Sequence, residues 1–212
     1  MNTSTGKGIL AAALAAVALT GTAENIKLPE KPFDPGTSLV QALKDRKSTR
    51  EYAARDLTPA ELAGVLWAAN GFNRPGMRTN ATGRNKQEIE IYVCMKSGAY
   101  RYDAKDGVLV QVSDKDLRPA VADRQAFAAA APVSVVIVSD NSDPAMYGGD
   151  PRHSMPMYDA GIVSGNIYLY CAAAKLATVC RMTMNREVLS KELKLPATKV
   201  LQLNHPVGHF AE

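Results

Sequence analysis

Residues 46–50 read Arg-Lys-Ser-Thr-Arg, three cations and two hydroxyls in five positions. Arg46 and Arg50 are four apart, so on a helix or its last turn they share a face. Ser48 lies between them and adds a neutral donor, and Lys47 adds a point charge. A phosphomonoester carries nearly two negative charges, and paired guanidinium forks match its oxygens. The chemistry on offer is anion binding. On spacing alone, a solvated basic helix end favoured by the helix dipole is the simpler reading. A second polar run, Thr82-Gly83-Arg84-Asn85-Lys86-Gln87, stands before a strand pattern. Asn85 and Gln87 supply amide donors and acceptors that can read the edge of a heterocycle, or can serve as ordinary loop caps.

A third grouping, His153-x-Met155-x-Met157, offers one imidazole and two thioethers, ligands soft enough for Cu(I). Methionines that pack over a cofactor or an interface explain it with less, so no metal is expected. His205 and His209 flank Pro206-Val207-Gly208 and need no metal either.

These segments must be held by regular elements. Residues 38–44 read as an amphipathic helix with Leu39, Val40 and Leu43 on one face. Thr58 and Glu61 form a capping box with Pro59 in the first turn, opening a helix that runs to about Ala69 and ends at Asn70-Gly71. Residues 72–86 read as a loop. Residues 88–95 alternate as a strand, and 99–103 and 108–112 form a hairpin around Asp106-Gly107. A short helix is expected at 123–130 and a central strand in the β-branched run 132–138. A second long loop covers 141–156. A helix at 158–176, apolar all round, should be the most buried. A strand at 177–184, a helix at 187–193 and a strand at 199–203 complete the chain. This irregular alternation points to an α+β domain with helices on both faces of a mixed sheet.

The chain has 212 residues, 46% hydrophobic and 22% charged, with a formal charge of +4. That suits one globular domain and is too mild to argue for nucleic acid. Residues 1–23 carry a positive Lys7, an apolar run from Ile9 to Leu19, and small residues at Gly21 and Ala23. This is the pattern of a cleaved signal peptide, and the run falls short of the ~20 residues a spanning helix needs. The protein is therefore expected to be exported, periplasmic or secreted, with no stable membrane insertion after cleavage. Residues 24–37 hold Pro29, Pro32 and Pro35 and form an extended arm with little of its own to pack on. Residues 38–212 form the domain. Cys94, Cys171 and Cys180 are expected as free thiols, with a Cys171–Cys180 bridge as the alternative.

Arg46-x-Ser48-x-Arg50 after an amphipathic helix resembles the N-terminal signature of the FMN-dependent nitroreductase family. Residues 57–71 resemble the family's second helix. Asn85-x-Gln87 before a strand resembles its Ser-Ala-x-Asn-x-Gln flavin segment. Asp159-x-Gly161 and Pro206-Val207-Gly208-His209 resemble its C-terminal half. The resemblance implies a three-layer α/β/α fold with a central mixed, mainly antiparallel sheet, and an intertwined homodimer with FMN at the subunit interface.

It also implies roles. Arg46, Lys47, Ser48 and Arg50 fall at flavin-binding positions, with Arg46 and Ser48 nearer the phosphate and Arg50 nearer the ribityl chain or pyrimidine edge. Asn85 and Gln87 would read that edge. Residues 180–183, including Met182 and Thr183, fill the segment whose backbone N–H meets flavin N5. The redox step belongs to the cofactor, so no catalytic side chain is named. Tyr147, Tyr158 and Phe72 are candidates for a substrate slot. Departures are Thr82-Gly83 for Ser-Ala, Lys175-Leu176-Ala177-Thr178 for a Gly-Leu-Gly ending, and Cys180-Arg181-Met182-Thr183 for Pro-x-Glu-Gly. Many relatives also continue into a basic segment at the phosphate, for which Arg181, Arg84 or Lys86 would have to compensate, the alternative being weak FMN binding.

The function expected is an FMN-dependent oxidoreductase acting on a small planar acceptor, a nitroaromatic or quinone. NAD(P)H is a candidate donor, although no Gly-x-Gly-x-x-Gly is present. The alternatives are a flavin- or metal-binding module without turnover, and an azoline-oxidising dehydrogenase of the same superfamily.

Overall fold

The computed structural model describes residues 24–30, 34–147 and 154–211, so the expected leader and His153 lie outside the described residues. A seven-stranded sheet runs in the order β1 (Ile26–Lys27), β6 (Val108–Ser113), β5 (Gly98–Asp103), β4 (Ile89–Met95), β7 (Val133–Asp140), β9 (Lys199–His209) and β8 (Leu176–Thr178). Every neighbouring pair in it is antiparallel.

Alternation of side chains divides the central strands between two layers. In β4, Ile89, Ile91 and Val93 join the core under α2 (Pro59–Asn70) and α4 (Met155–Ala173). Tyr92 and Cys94 join the opposite core, beneath α3 (Arg118–Ala122) and α5 (Arg186–Glu192). β7 does the same with Val135 and Ile137 on one side and Val136 and Val138 on the other, which is why its sequence is continuously apolar. The result is the three-layer α/β/α arrangement.

Local chemistry sets the helix ends. Glu61 N–H donates to Thr58 Oγ1 at 3.2 Å and Thr58 N–H donates to Glu61 Oε2 at 2.8 Å, the reciprocal capping box at the head of α2. Gly71 ends α2 with φ −75°, so a left-handed turn is not what demands glycine there. A Cβ at 71 would lie 2.4 Å from Trp67 Cδ1.

Several expectations are corrected. The short helix α1 (Leu39–Asp45) buries Ala42, while Leu39, Val40 and Leu43 are 64%, 62% and 56% exposed. The apolar face exists, but nothing among the described residues covers it. Likewise α4 is not buried all round: Met157, Tyr158 and Ile162 are exposed on its outer face. The loop at 72–86 contains a hairpin, β2 (Phe72–Arg74) with β3 (Met77–Arg78), and a 3₁₀ turn at Gly83–Asn85. In place of a helix at 123–130 the chain forms α3 and a 3₁₀ turn at Ala126–Ala130. The strand expected at 177–184 is only β8, and β9 continues past Leu203 through Pro206 to His209. The start of the proline-rich arm packs on its own protomer, since β1 pairs with β6 and Leu28 is buried. All three cysteines are free.

At the far edge of the sheet, the chain after α1 lies along β8: Thr49 N–H donates to Thr178 O at 2.9 Å. Tyr52 then bridges to Phe210, and Ala53 N–H donates to His209 O at 3.0 Å.

Candidate functional site

Arg46 is the C-cap of α1, its N–H donating to Ala42 O at 2.9 Å. Beyond it the chain is no longer helical, so Arg46 and Arg50 do not share a helical face; the helix ends at Asp45, more than a turn before Arg50. The three cations instead spread over three rings. Arg46 lies over Tyr168 at 5.3 Å, Lys47 over Phe210 at 4.8 Å and Arg50 over Phe127 at 5.9 Å. All three are exposed, and none has a carboxylate partner among the described residues. Uncompensated cations held on aromatic faces suit an incoming anion.

Ser48 Oγ lies 2.8 Å from Tyr168 Oη, and Cys180 N–H donates to the same hydroxyl at 2.8 Å. Tyr168 thus ties the basic stretch to the segment after β8. A second string of bonds runs below it. Thr178 Oγ1 donates to Pro206 O at 2.9 Å, so at 3.1 Å from His205 Nδ1 it must accept. The imidazole therefore carries its proton on Nδ1, and Nε2 accepts from Ser164 Oγ at 2.8 Å. Burial pushes His205 down to about 3, so it stays neutral. Burial also pushes the Cys180 thiol up.

In the neighbouring segment, Arg181 is buried and fully engaged. Its guanidinium donates to Gln125 Oε1, Val121 O, Asn204 Oδ1 and Ala122 O at 2.8, 3.1, 2.7 and 2.8 Å. It cannot reach out to a phosphate as expected. Met182 is 66% exposed. The N–H groups of Cys180 and Arg181 are taken, the latter by Asn204 O, whereas those of Met182 and Thr183 have no acceptor among the described residues.

The 82–87 segment is built at the other end of α4. Gly83 N–H donates to Asp159 Oδ2 at 2.8 Å. Arg84, Asn85 and Gln87 adopt φ of 55°, 54° and 53°, a left-handed conformation that costs energy for residues other than glycine. Gln87 Nε2 donates to Gly76 O at 2.8 Å and Asn85 Oδ1 at 3.2 Å, while Gln87 Oε1 accepts from Arg78 at 3.2 Å. Its amide therefore ties the segment to the β2–β3 hairpin. Lys86 pairs with Asp143 at 2.7 Å, so it too is engaged. A Cβ at Gly83 would meet Met155 Sδ at 2.6 Å, so a larger residue there would require the Met155 side chain to shift. Beneath the segment both Glu88 carboxyl oxygens are buried with no hydrogen-bond donor among the described residues. Burial first, and the adjacent Asp159 second, push the Glu88 carboxyl up to about 7.

The structure thus brings Arg46 and Ser48 to Tyr168 and Cys180. Asn85 and Gln87 remain with Asp159, nine residues away and about 13 Å along the helix axis. Of the slot candidates, Tyr158 is 57% exposed on α4. Phe72 lies under Arg78 at 4.1 Å and, with Trp67 and Tyr102, lines a separate cavity of about 350 Å³. The side chain of Tyr147 lies outside the described residues. Tyr168, Ser164 and Thr178 were not legible as site residues, because they come from α4 and β8 with no shared spacing.

The sequence profile of the Nitroreductase family matches residues 43–209. A crystal structure from Ralstonia eutropha, described as a nitroreductase, superposes with a TM-score of 0.80 and 34% identity, covering 97% of each chain. A Methanocaldococcus jannaschii protein described as a nitroreductase is 27% identical over 184 residues, 82% of this chain and 92% of its own. An FMN-dependent nitroreductase of Clostridium difficile, 18% identical, shares the fold with a TM-score of 0.55 over 82% of this chain and 88% of its own. The fold and these matches define an oxidoreductase class. The chain belongs to the nitroreductase family.

Proposed function

We propose that the protein is an exported oxidoreductase that uses FMN to reduce a small planar acceptor such as a nitroaromatic or a quinone, with NAD(P)H as a candidate donor. The observation that carries this reading is the set of exposed cations, Arg46, Lys47 and Arg50, with no carboxylate partner among the described residues, on the stretch that also carries Ser48. Bound FMN supplies the electron and hydride chemistry; the protein supplies position and field. Arg46 and Ser48 would hold the phosphate, and Arg50 the ribityl chain or pyrimidine edge. The N–H groups of Met182 and Thr183, which have no acceptor among the described residues, would be the donors for the ring. Export rests on the sequence of residues 1–23.

The reading includes a homodimer. The outer face of α4 carries Met157, Tyr158 and Ile162, and a Cβ at Gly161 or Gly165 would meet nothing within 4 Å. Asp159, buried, is the helix's only charged residue. An antiparallel copy crossing at the two glycines would set the 82–87 segment of one protomer against the 46–50 stretch of its partner. One flavin would then receive both sets of contacts.

The test is direct. Purified protein should be yellow and release FMN on denaturation, and anaerobic NAD(P)H should bleach it until an acceptor restores the colour. Colourless protein that takes up no added FMN would sink the reading.

A further inference from the structure

The Tyr168 hydroxyl stands 2.8 Å from the Cys180 N–H and 2.8 Å from Ser48 Oγ. An amide N–H can only donate, so Tyr168 Oη accepts from Cys180. The tyrosine proton then has one acceptor among the described residues, Ser48 Oγ. Ser48 is exposed, and with its oxygen accepting from Tyr168 its own proton is left free to donate to an incoming group. The same ring carries the Arg46 guanidinium on its face at 5.3 Å. The ring itself is fixed edge-on against His205 at 5.1 Å, and His205 is pinned on both nitrogens by Ser164 and Thr178. A single immobilised tyrosine therefore sets the direction of one hydroxyl donor and one cation.

We propose that Tyr168 is a positioning residue for an anion subsite, leaving the Ser48 hydroxyl free to donate and holding Arg46 beside it so that the pair receives the phosphomonoester of the flavin. The inference rests on the FMN reading above. Without the Tyr168 hydroxyl, Ser48 is free to rotate and Cys180 N–H loses its acceptor. Because hydrogen bonds in series polarise one another, occupancy at Ser48 is also communicated to residue 180, two positions before Met182.

FMN and riboflavin differ only in the phosphate, and this separates a positioning role from general damage. Tyr168→Phe keeps the ring, its contact with His205 and its place under Arg46. It should bind FMN about tenfold more weakly than wild type while riboflavin affinity stays within about twofold. Ser48→Ala should behave alike, and the double variant should be no more than about twofold weaker than Ser48→Ala, since both remove one arrangement. Equal losses for FMN and riboflavin, or additive losses in the double variant, would overturn the proposal. So would unchanged FMN affinity in Tyr168→Phe, which leaves the FMN reading standing. Wild-type protein that binds neither flavin defeats both. A second readout leaves Tyr168 intact: FMN should slow amide exchange at Cys180 in wild type and not in Ser48→Ala, and identical exchange in the two would count against the series.

Discussion

Arg181 and Asn204 hold each other through both backbones and both side chains. Their N–H groups donate reciprocally to each other's carbonyls at 2.8 Å, Arg181 donates to Asn204 Oδ1 at 2.7 Å, and Asn204 Nδ2 donates to Arg181 O at 3.3 Å. This clamp joins the segment after β8 to β9 and fixes the backbone on which Met182 and Thr183 stand. Arg181→Ala would leave the buried Val121 carbonyl and Asn204 Oδ1 without the donor they have in the wild type, while Ala122 O would keep the Gln125 N–H. The substitution should cost ~2–4 kcal/mol, a fall in Tm of roughly 5–15 °C for a domain of this size. Thermal unfolding followed by circular dichroism measures it, and an unshifted Tm would refute the structural role.

The cations can be ranked by FMN titration. Arg46→Ala should lose ~2–4 kcal/mol, roughly 30- to 1,000-fold in affinity, with the fold intact. Arg50→Lys should do intermediate damage, because a point charge replaces a fork. Thr49→Ala should change little, since Thr49 contributes its backbone N–H to Thr178 O and no side-chain hydrogen bond. If all three stay within ~0.5 kcal/mol of wild type, the stretch is only a solvated basic segment along the sheet edge.

Glu88 gives the protein a pH-dependent stability of known sign. Its folded carboxyl, at about 7, lies above the ordinary 4.5, so the folded state holds the proton more tightly. The contribution is present below about pH 4.5 and is lost as pH rises through 7. Partial exposure keeps the effect at about 1–2 kcal/mol between pH 5 and 8. Glu88→Gln should flatten that slope and be the more stable protein at pH 8. Denaturant midpoints across the range decide it, and a wild-type slope of opposite sign would falsify the assignment.

How far these features could be read from sequence depends on their range. The capping box at Thr58 and Glu61 and the alternation in β4 are local patterns, and both appear as expected. Periodicity also grouped Leu39, Val40 and Leu43 correctly, but it cannot say whether anything covers that face. Arg46 and Arg50 failed as a helical pair because a helix boundary moved by a single turn undoes an i, i+4 argument. Pro206 hid the second half of β9, since proline within a strand pattern argues against a strand. The left-handed backbone at Arg84, Asn85 and Gln87 and the grouping of Tyr168, Ser164, Thr178 and His205 leave no local signature at all, because both arise only from tertiary contacts.

The glycines of α4 separate two states of its outer face. In a lone protomer, Gly161→Ala and Gly165→Ala replace exposed helical glycines and should each stabilise by ~0.5–1 kcal/mol. If a second copy packs there, each added methyl should instead weaken association at least tenfold. Sedimentation at micromolar concentration reads the association and thermal unfolding the stability. A monomeric wild type with FMN bound would sink the dimer.

The stretch that carries Arg46, Ser48 and Arg50 is also the cover of an open sheet edge. Thr49 N–H is bonded to Thr178 O on β8, and Tyr52 and Ala53 continue the contact to Phe210 and His209. An unprotected edge is a template for pairing with another chain. Anything that peels this stretch away, whether a shortened α1 or a cut between residues 46 and 50, exposes backbone able to recruit a neighbour. Aggregation should then appear together with the loss of binding, because one short piece of chain serves both purposes.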